Sequence, residues 1–363
     1  VEELPVTFST RKAAIGGLAL LGTVAMLAGC SAAPSSSKAA GSGSSYLPCM
    51  VSDSGGFDDH SFNELGYDGL KDAASDSGTK FKAVQSSDSN DYNPNIRTLL
   101  SQKCNLIVTV GFNLEAATKS AAKANPKTNF AIIDDNAIDA KNVKPITFDT
   151  SQAAFLAGYA AASYTKTGVV GTFGGQKIPT VTIFMDGFAD GVAYYNKQKS
   201  KDVKVVGWDE SSQEGSFTGG FAAGTAAKAV AQALLNQNAD VIFPVGGPIY
   251  QSAAEAINDA NNGSVLIGAD SDLYLADPRY KAITFTSVEK GIRPATKSVV
   301  DDSAKGKFSN TPYVGTLKNN GVGIAPFHDF ASKVDPSLQG ELNKIKAGII
   351  DGSITVETKA SVK

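Results

Sequence analysis

Unbroken apolar runs alternate along this chain with segments whose apolar residues recur at helical spacing. Leu106–Val110, Phe130–Ile133 and Asp240–Val245 show no polar alternation. Each predicts a strand covered on both faces, as the strands of parallel sheets are. Met50–Ser52, Lys80–Val84 and Pro145–Phe148 predict further strands. Between the first two, Phe62, Leu65, Gly66, Gly69, Leu70 and Ala73 fall at i, i+3, i+4 and i+7, one face of a helix over Ser61–Ala74. Pro94–Leu100 and the Ala-rich Glu115–Ala124 predict two more helices. The rhythm then restarts. Ala153–Tyr164, Phe184–Tyr195, Gly224–Asn236 and Ser252–Asn262 predict helices, and Gly168–Phe173, Val203–Trp208, Asp240–Val245, Val265–Ala269 and Ala282–Thr286 strands. Val288–Asp302 predicts a helix, Gly321–Ile324 a short strand and Leu338–Ile350 an amphipathic helix. Strand–helix alternation run twice predicts an α/β fold of two doubly wound lobes with parallel sheets.

The N-terminus breaks this pattern. Arg11 and Lys12 precede an apolar run from Ala13 to Ala28 that ends Leu27-Ala28-Gly29-Cys30. A positive start, a short apolar middle and small residues before a cleavage point make residues 1–29 a secretory signal. The run is short for a span of about 20 residues. Leu-Ala-Gly-Cys resembles a bacterial lipoprotein box, which implies cleavage before Cys30 and lipid on its sulfur. The chain would then be lipid-anchored to the cell membrane on its extracytoplasmic face. A plain anchor, or a secreted protein with a coincidental Cys, is the alternative. Residues 30–45 are rich in Ser, Ala and Gly and predict a flexible tether. Export changes how Cys49 and Cys104 read. Each precedes a strand-like run, so adjacent parallel strands would bring the two together at one sheet edge. A disulfide is expected there, with two buried thiols as the alternative.

Composition narrows the chemistry. The 363 residues are 42% hydrophobic and 19% charged, with a net charge of −3, enough for two folded domains and without the positive field that nucleic acid needs. Two His and three Cys are a poor stock for a zinc site or for imidazole acid–base catalysis, while carboxylate chemistry stays open. The Asp53–Asp59 run lacks the alternating acids and distal Glu of a calcium loop, and Gly55-Gly56 and Gly174-Gly175 lack the glycine spacing of phosphate loops. No metal, cofactor or nucleic-acid partner is expected, and the protein is expected to be a monomer.

In open α/β sheets, ligands bind beyond the carboxyl ends of the strands. There the chain places Asp53-Ser54-Gly55-Gly56, Gly111-Phe112-Asn113, Asp134-Asp135, Gly246-Gly247-Pro248, Asp270-Ser271-Asp272 and Glu289-Lys290. This acidic, amidic and aromatic set with one Lys suits a flat, neutral, hydroxyl-rich ligand. Carboxylates accept from sugar hydroxyls and rings stack on a base.

At these residues SDSGGFDDHSFNELGYDGL resembles the D-x-G-G-x-x-D-x-S-F-N signature of the basic membrane protein family of substrate-binding lipoproteins. VIFPVGGP, GADSDL and TSVEKG follow in the family's order. The resemblance covers the chain from about residue 46 onward. It implies the type I periplasmic-binding-protein fold, two Rossmann-like lobes joined by a hinge, with residues 46–149 plus about 286–308 in the first and 150–285 plus about 309–363 in the second. It also implies a purine nucleoside ligand such as inosine, guanosine or adenosine, and the permease and ATPase subunits of an ABC importer as partners. By the same resemblance Phe62 stacks on the base and Asp53 and Asn63 reach its edge. Gly111, Phe112 and Asp134 face the cleft. Phe184 forms the second wall, with Phe188 as the alternative. Gly246 and Gly247 admit the ligand to the backbone, Asp270 holds the ribose hydroxyls, and Lys290 bonds a hydroxyl or orients Asp270. Plainer roles exist for several: Phe62 as core, Asp58 or Asp59 as a helix cap, Lys290 as a surface cation. A nucleoside hydrolase or glycosidase using two carboxylates, a ligand-sensing lipoprotein and a sugar or furanose receptor are the competing functions.

Overall fold

A computed structural model describes residues 46–360. The expected signal segment, Cys30 and the tether lie outside the described residues. The first sheet is built from β1 (Pro48–Val51), β2 (Lys82–Val84), β3 (Leu106–Val110), β4 (Asn129–Ile133) and β5 (Val143–Phe148), all parallel, in the spatial order β2-β1-β3-β4-β5. The helices α1 (Phe62–Ser77), α2 (Tyr92–Ser101) and α3 (Glu115–Ala124) make the crossovers. β1 and β3 are buried at every position, which is why their sequences show no alternation. β1 and β3 are neighbours, and Cys49 and Cys104 are joined in a disulfide with their Cα atoms 6.0 Å apart.

The second sheet repeats the plan with α4 (Thr150–Tyr164), β6 (Val169–Gly174), α5 (Pro179–Lys199), β7 (Lys204–Val206), α6 (Thr225–Leu235), β10 (Val241–Val245), α7 (Ile249–Ala260), β11 (Val265–Asp270), α8 (Leu273–Ala276) and β12 (Thr284–Lys290). A small hairpin of β8 (Trp208–Asp209) and β9 (Glu214–Gly215) follows β7. The spatial order is β12-β11-β10-β6-β7. Val203–Trp208 is therefore not one strand: Gly207, at φ +85°, turns the chain out of the sheet.

The last fifth of the chain passes between the sheets. After β12 comes α9 (Ile292–Ala304), packed on α1, with Gly69 directly under the Arg293 carbonyl. β13 (Tyr313–Gly315) joins the first sheet beside β5, β14 (Val322–Ile324) runs antiparallel to β12, and α10 (Leu338–Asp351) packs on α4. Two expected placements change here. Residues 286–290 stay in the second sheet, because Thr286–Glu289 pair with Ile267–Asp270 of β11 before the chain crosses at Gly291. Residues 313–315 belong to the first sheet rather than the second, because they pair with β5. The crossings are tied together by Asp149 N donating to Gly315 O and Gly291 N to Gly321 O, both at 2.8 Å. Among the described residues no helix is long and apolar enough to cross a membrane.

Candidate functional site

The carboxyl ends of both sheets face one cavity. At its first wall the start of α1 is capped by Asp59, whose carboxylate accepts from the backbone N–H of Ser61 (2.9 Å), Asn63 (2.9 Å) and Glu64 (3.1 Å). These are orphan donors of a helix's first turn. With the cap supplied by Asp59, the Ser61 hydroxyl is free to donate to Ala269 O (3.0 Å) and Asp270 Oδ2 (3.2 Å), on the second sheet. Phe62 then lines the cavity, half-buried.

Asn63 also lines the cavity, but its amide is already engaged. Nδ2 donates to Asp53 Oδ1 (2.7 Å) and Asp59 Oδ2 (3.0 Å), and Oδ1 accepts from Asp53 N (3.2 Å). Its place in the network is to hold Asp53 rather than to offer free donors. Burial pushes the Asp53 carboxyl up to about 6, against the hydrogen bonds from Gly55 and Asn63. Gly111 and Phe112 do not line the cavity. Gly111 stands behind Asp53, at φ +113°, where a Cβ would come within 2.8 Å of Asp53 Oδ2. Phe112 sits half-buried on a short 3-10 turn, Phe112–Leu114.

Three charged groups meet at the floor. Asp134 directly follows β4, Asp270 ends β11 and Lys290 ends β12; all three are buried. Lys290 Nζ lies 2.5 Å from Asp134 Oδ2 and 3.5 Å from Asp270 Oδ1. It also stands 5.0 Å from the ring centroids of both Phe62 and Phe184. Burial opposes the charge on Lys290, but the two carboxylates outweigh it and hold the ammonium above its usual range. A surface role for Lys290 is thereby replaced by a buried one. Burial raises Asp134 as well, against the pull of Lys290. Both acids have left-handed backbones, φ +66° at Asp134 and +69° at Asp270, a conformation that costs non-glycine residues energy and is concentrated at functional sites. Asp270 Oδ1 is buried and makes no hydrogen bond.

The second wall comes from α5. Its start is Pro179, earlier than the expected Phe184, so Ile178, Thr180, Val181 and Phe184 all line the cavity. Phe188, one turn on, is fully buried against Phe243 at 5.4 Å and does not reach it. Phe221 is a lining aromatic that the pattern of apolar positions does not mark, since it sits in the irregular segment SFTGGFAAG, 216–224. Its signal is an aromatic between Gly219-Gly220 and Ala222-Ala223-Gly224. Gly246 and Gly247 line the cavity as expected, but Gly246 is small for a different reason: a Cβ there would meet the Phe221 ring at 2.6 Å, and one on Gly175 at 2.3 Å. The glycines seat a side chain. Besides Ser61, Ser271 Oγ donating to His60 O (2.8 Å) and Asn113 Nδ2 to Gln176 Oε1 (3.1 Å) join the two lobes around the cavity. Among the described residues no group of His, Cys, Asp and Glu is arranged to hold a metal ion.

The family model described as ABC transporter substrate-binding protein PnrA-like matches residues 47–354. The chain is 31% identical over 366 residues to the ABC transporter nucleoside-binding protein BmpA of Lactococcus lactis, covering 96% of this chain and 99% of that protein. It is 30% identical over 308 residues to basic membrane protein A of Borreliella burgdorferi, covering 83% of this chain and 85% of that one. Among solved structures, a solute-binding protein of an ABC transporter system from Aeropyrum pernix superposes with a TM-score of 0.77 at 23% identity, over 87% of this chain and 94% of that one. The arabinose-binding protein AraP of Geobacillus stearothermophilus does so at 0.59 and 16% identity, over 80% and 99%. These likenesses establish the two-lobed periplasmic-binding-protein fold.

Proposed function

The chain belongs to the family of PnrA-like ABC transporter substrate-binding proteins, and we propose that its cargo is a purine nucleoside. The observation that carries this reading is Asp270 Oδ1, a buried carboxylate oxygen that accepts no hydrogen bond and faces the Lys290 ammonium at 3.5 Å, in a cavity lined by three aromatic rings. Such an atom fits a ligand hydroxyl, and the rings of Phe62, Phe184 and Phe221 fit a base. The base would lie against Phe62 and Phe184, with Asp53 accepting an N–H from its edge. Asp270 would accept from a ribose hydroxyl while Lys290 stays paired with Asp134 and Asp270. Water excluded from the closed cavity strengthens each of these bonds. Asp53, Asp59, Asp134 and Asp270 against the single ammonium of Lys290 favour a neutral nucleoside over its phosphates. A relative named for nucleoside binding supports the same reading.

In this reading the lobes are residues 46–148 with 292–315, and 150–290 with 322–360, and they bend at the three crossings near Asp149, Gly291 and 316–321. Lipid on Cys30 would hold the protein at the extracytoplasmic face of the cell membrane. A monomer would deliver its cargo to the permease and ATPase subunits of the importer, releasing it unchanged. The test is a thermal-shift panel of nucleosides, free bases, nucleotides and sugars on the purified protein. A purine nucleoside at 100 times its Kd adds about 2.7 kcal/mol of stability. Stabilisation by sugars alone, or by none of the panel, overturns the reading.

A further inference from the structure

We propose that His328 is a positioning residue that holds Asp270 in its binding geometry; this rests on the nucleoside reading above and extends it to a residue outside the cavity. Asp270 keeps a left-handed backbone at the end of β11, so the chain after it has to be fixed from outside. Asp272 supplies the fixture. Its Oδ1 accepts from Tyr274 N (3.2 Å), capping α8, and its Oδ2 lies 2.8 Å from His328 Nε2. The imidazole lies flat on the Tyr274 ring, with centroids 4.0 Å apart and planes at 9°. The Tyr274 hydroxyl donates to Asp329 Oδ1 (3.1 Å).

His328 and Asp329 therefore grip the turn after Asp270 at its acid, its ring and its hydroxyl. His328 itself has φ +42°, a second strained backbone placed on the same clamp. Nothing in the clamp touches the aromatic end of the cavity. Releasing it lets the 271–274 turn relax and swings Asp270 Oδ1 away from the ribose hydroxyl, while a base between Phe62 and Phe184 keeps its contacts.

The experiment is calorimetry of the purified protein with a purine nucleoside and with its free base, for wild type, His328→Ala and His328→Gln. His328→Ala should lower nucleoside affinity at least fivefold and leave free-base affinity within twofold. His328→Gln, which keeps an N–H near the Nε2 position, should recover most of the loss. Should His328→Ala fail to fold, Asp272→Asn, which weakens the same bond, must show the same split. Unchanged nucleoside affinity, or a parallel loss for nucleoside and base, overturns the proposal. A wild type that binds no nucleoside overturns the parent reading instead, and His328 then has no ribose end to position.

Discussion

Asp270 offers the sharpest quantitative check on the site. Its Oδ2 is shared with Ser61 at 3.2 Å, while its Oδ1 is buried without a hydrogen bond. One charge-assisted bond to the ligand is therefore at stake, worth about 1.5–3 kcal/mol. Asp270→Ala removes it entirely and should weaken nucleoside binding roughly 10- to 150-fold. Asp270→Asn keeps a neutral acceptor of the same size. Charge-assisted bonds are about twice as strong as neutral ones, so Asn should lose about half the energy, roughly a 4- to 12-fold effect. Titration calorimetry at fixed pH, with the free base alongside, separates the ribose from the base. Base affinity should be unchanged in both variants. Asp270→Ala also forfeits the Ser61 bond and the ion pair with Lys290, so the unliganded protein should lose some stability in that variant. Wild-type nucleoside affinity in both variants, or equal losses for nucleoside and base, refutes the assignment.

Other outcomes follow from the same geometry. Burial lifts Asp53 from 3.8 to about 6, so acid protonates the carboxylate that meets the base; nucleoside affinity should fall by up to about tenfold per unit below pH 6, and Asp53→Asn should flatten that slope. The folded-state pKa exceeds the unfolded one, so the same group's contribution to stability is largest below about pH 4 and declines as pH rises towards 6; a melting profile of Asp53→Asn against wild type reads this. Lys290→Met leaves Asp134 and Asp270 buried and facing each other, which should cost about 3–5 kcal/mol by chemical denaturation, and adding Asp134→Asn should return a large part. The disulfide closes a loop with a separation of 55 residues, so replacing Cys49 and Cys104 with Ser should lower stability by about 4 kcal/mol. Both sulfurs sit at the starts of strands, away from the cavity, so nucleoside affinity should hold.

Much of this architecture was legible because both lobes obey one rule: buried parallel strands lead to ligand groups at their carboxyl ends. Asp53, Asp134, Gly246, Gly247, Asp270 and Lys290 line the cavity as that rule places them, and Phe62, Asn63 and Phe184 line it as the family resemblance implies. What stayed hidden depends on contacts distant in sequence. Val288-Glu289-Lys290 has no period of its own, so its strand character emerges only from pairing with Ala269-Asp270 on one side and Val322–Ile324 on the other. Tyr313–Gly315 is too short to show alternation. The start of α5 was masked by the apolar run Val181–Phe184, although Pro179 at the first turn is a start signal. Gly246 and Gly175 reveal their purpose only once the Phe221 ring is seen above them.

The Asp134–Lys290 pair has a consequence for a receptor's idle state. The acid stands on the first sheet and the ammonium on the second, so parting the sheets means drawing two buried ions away from each other. Where its attraction exceeds the hydration that both ions regain on parting, the pair biases the empty protein toward its shut outline. A transporter that senses outline alone would then meet shut receptors with no cargo and spend ATP on empty strokes. The strength of this single ionic contact would set how far importer turnover is tied to delivered cargo.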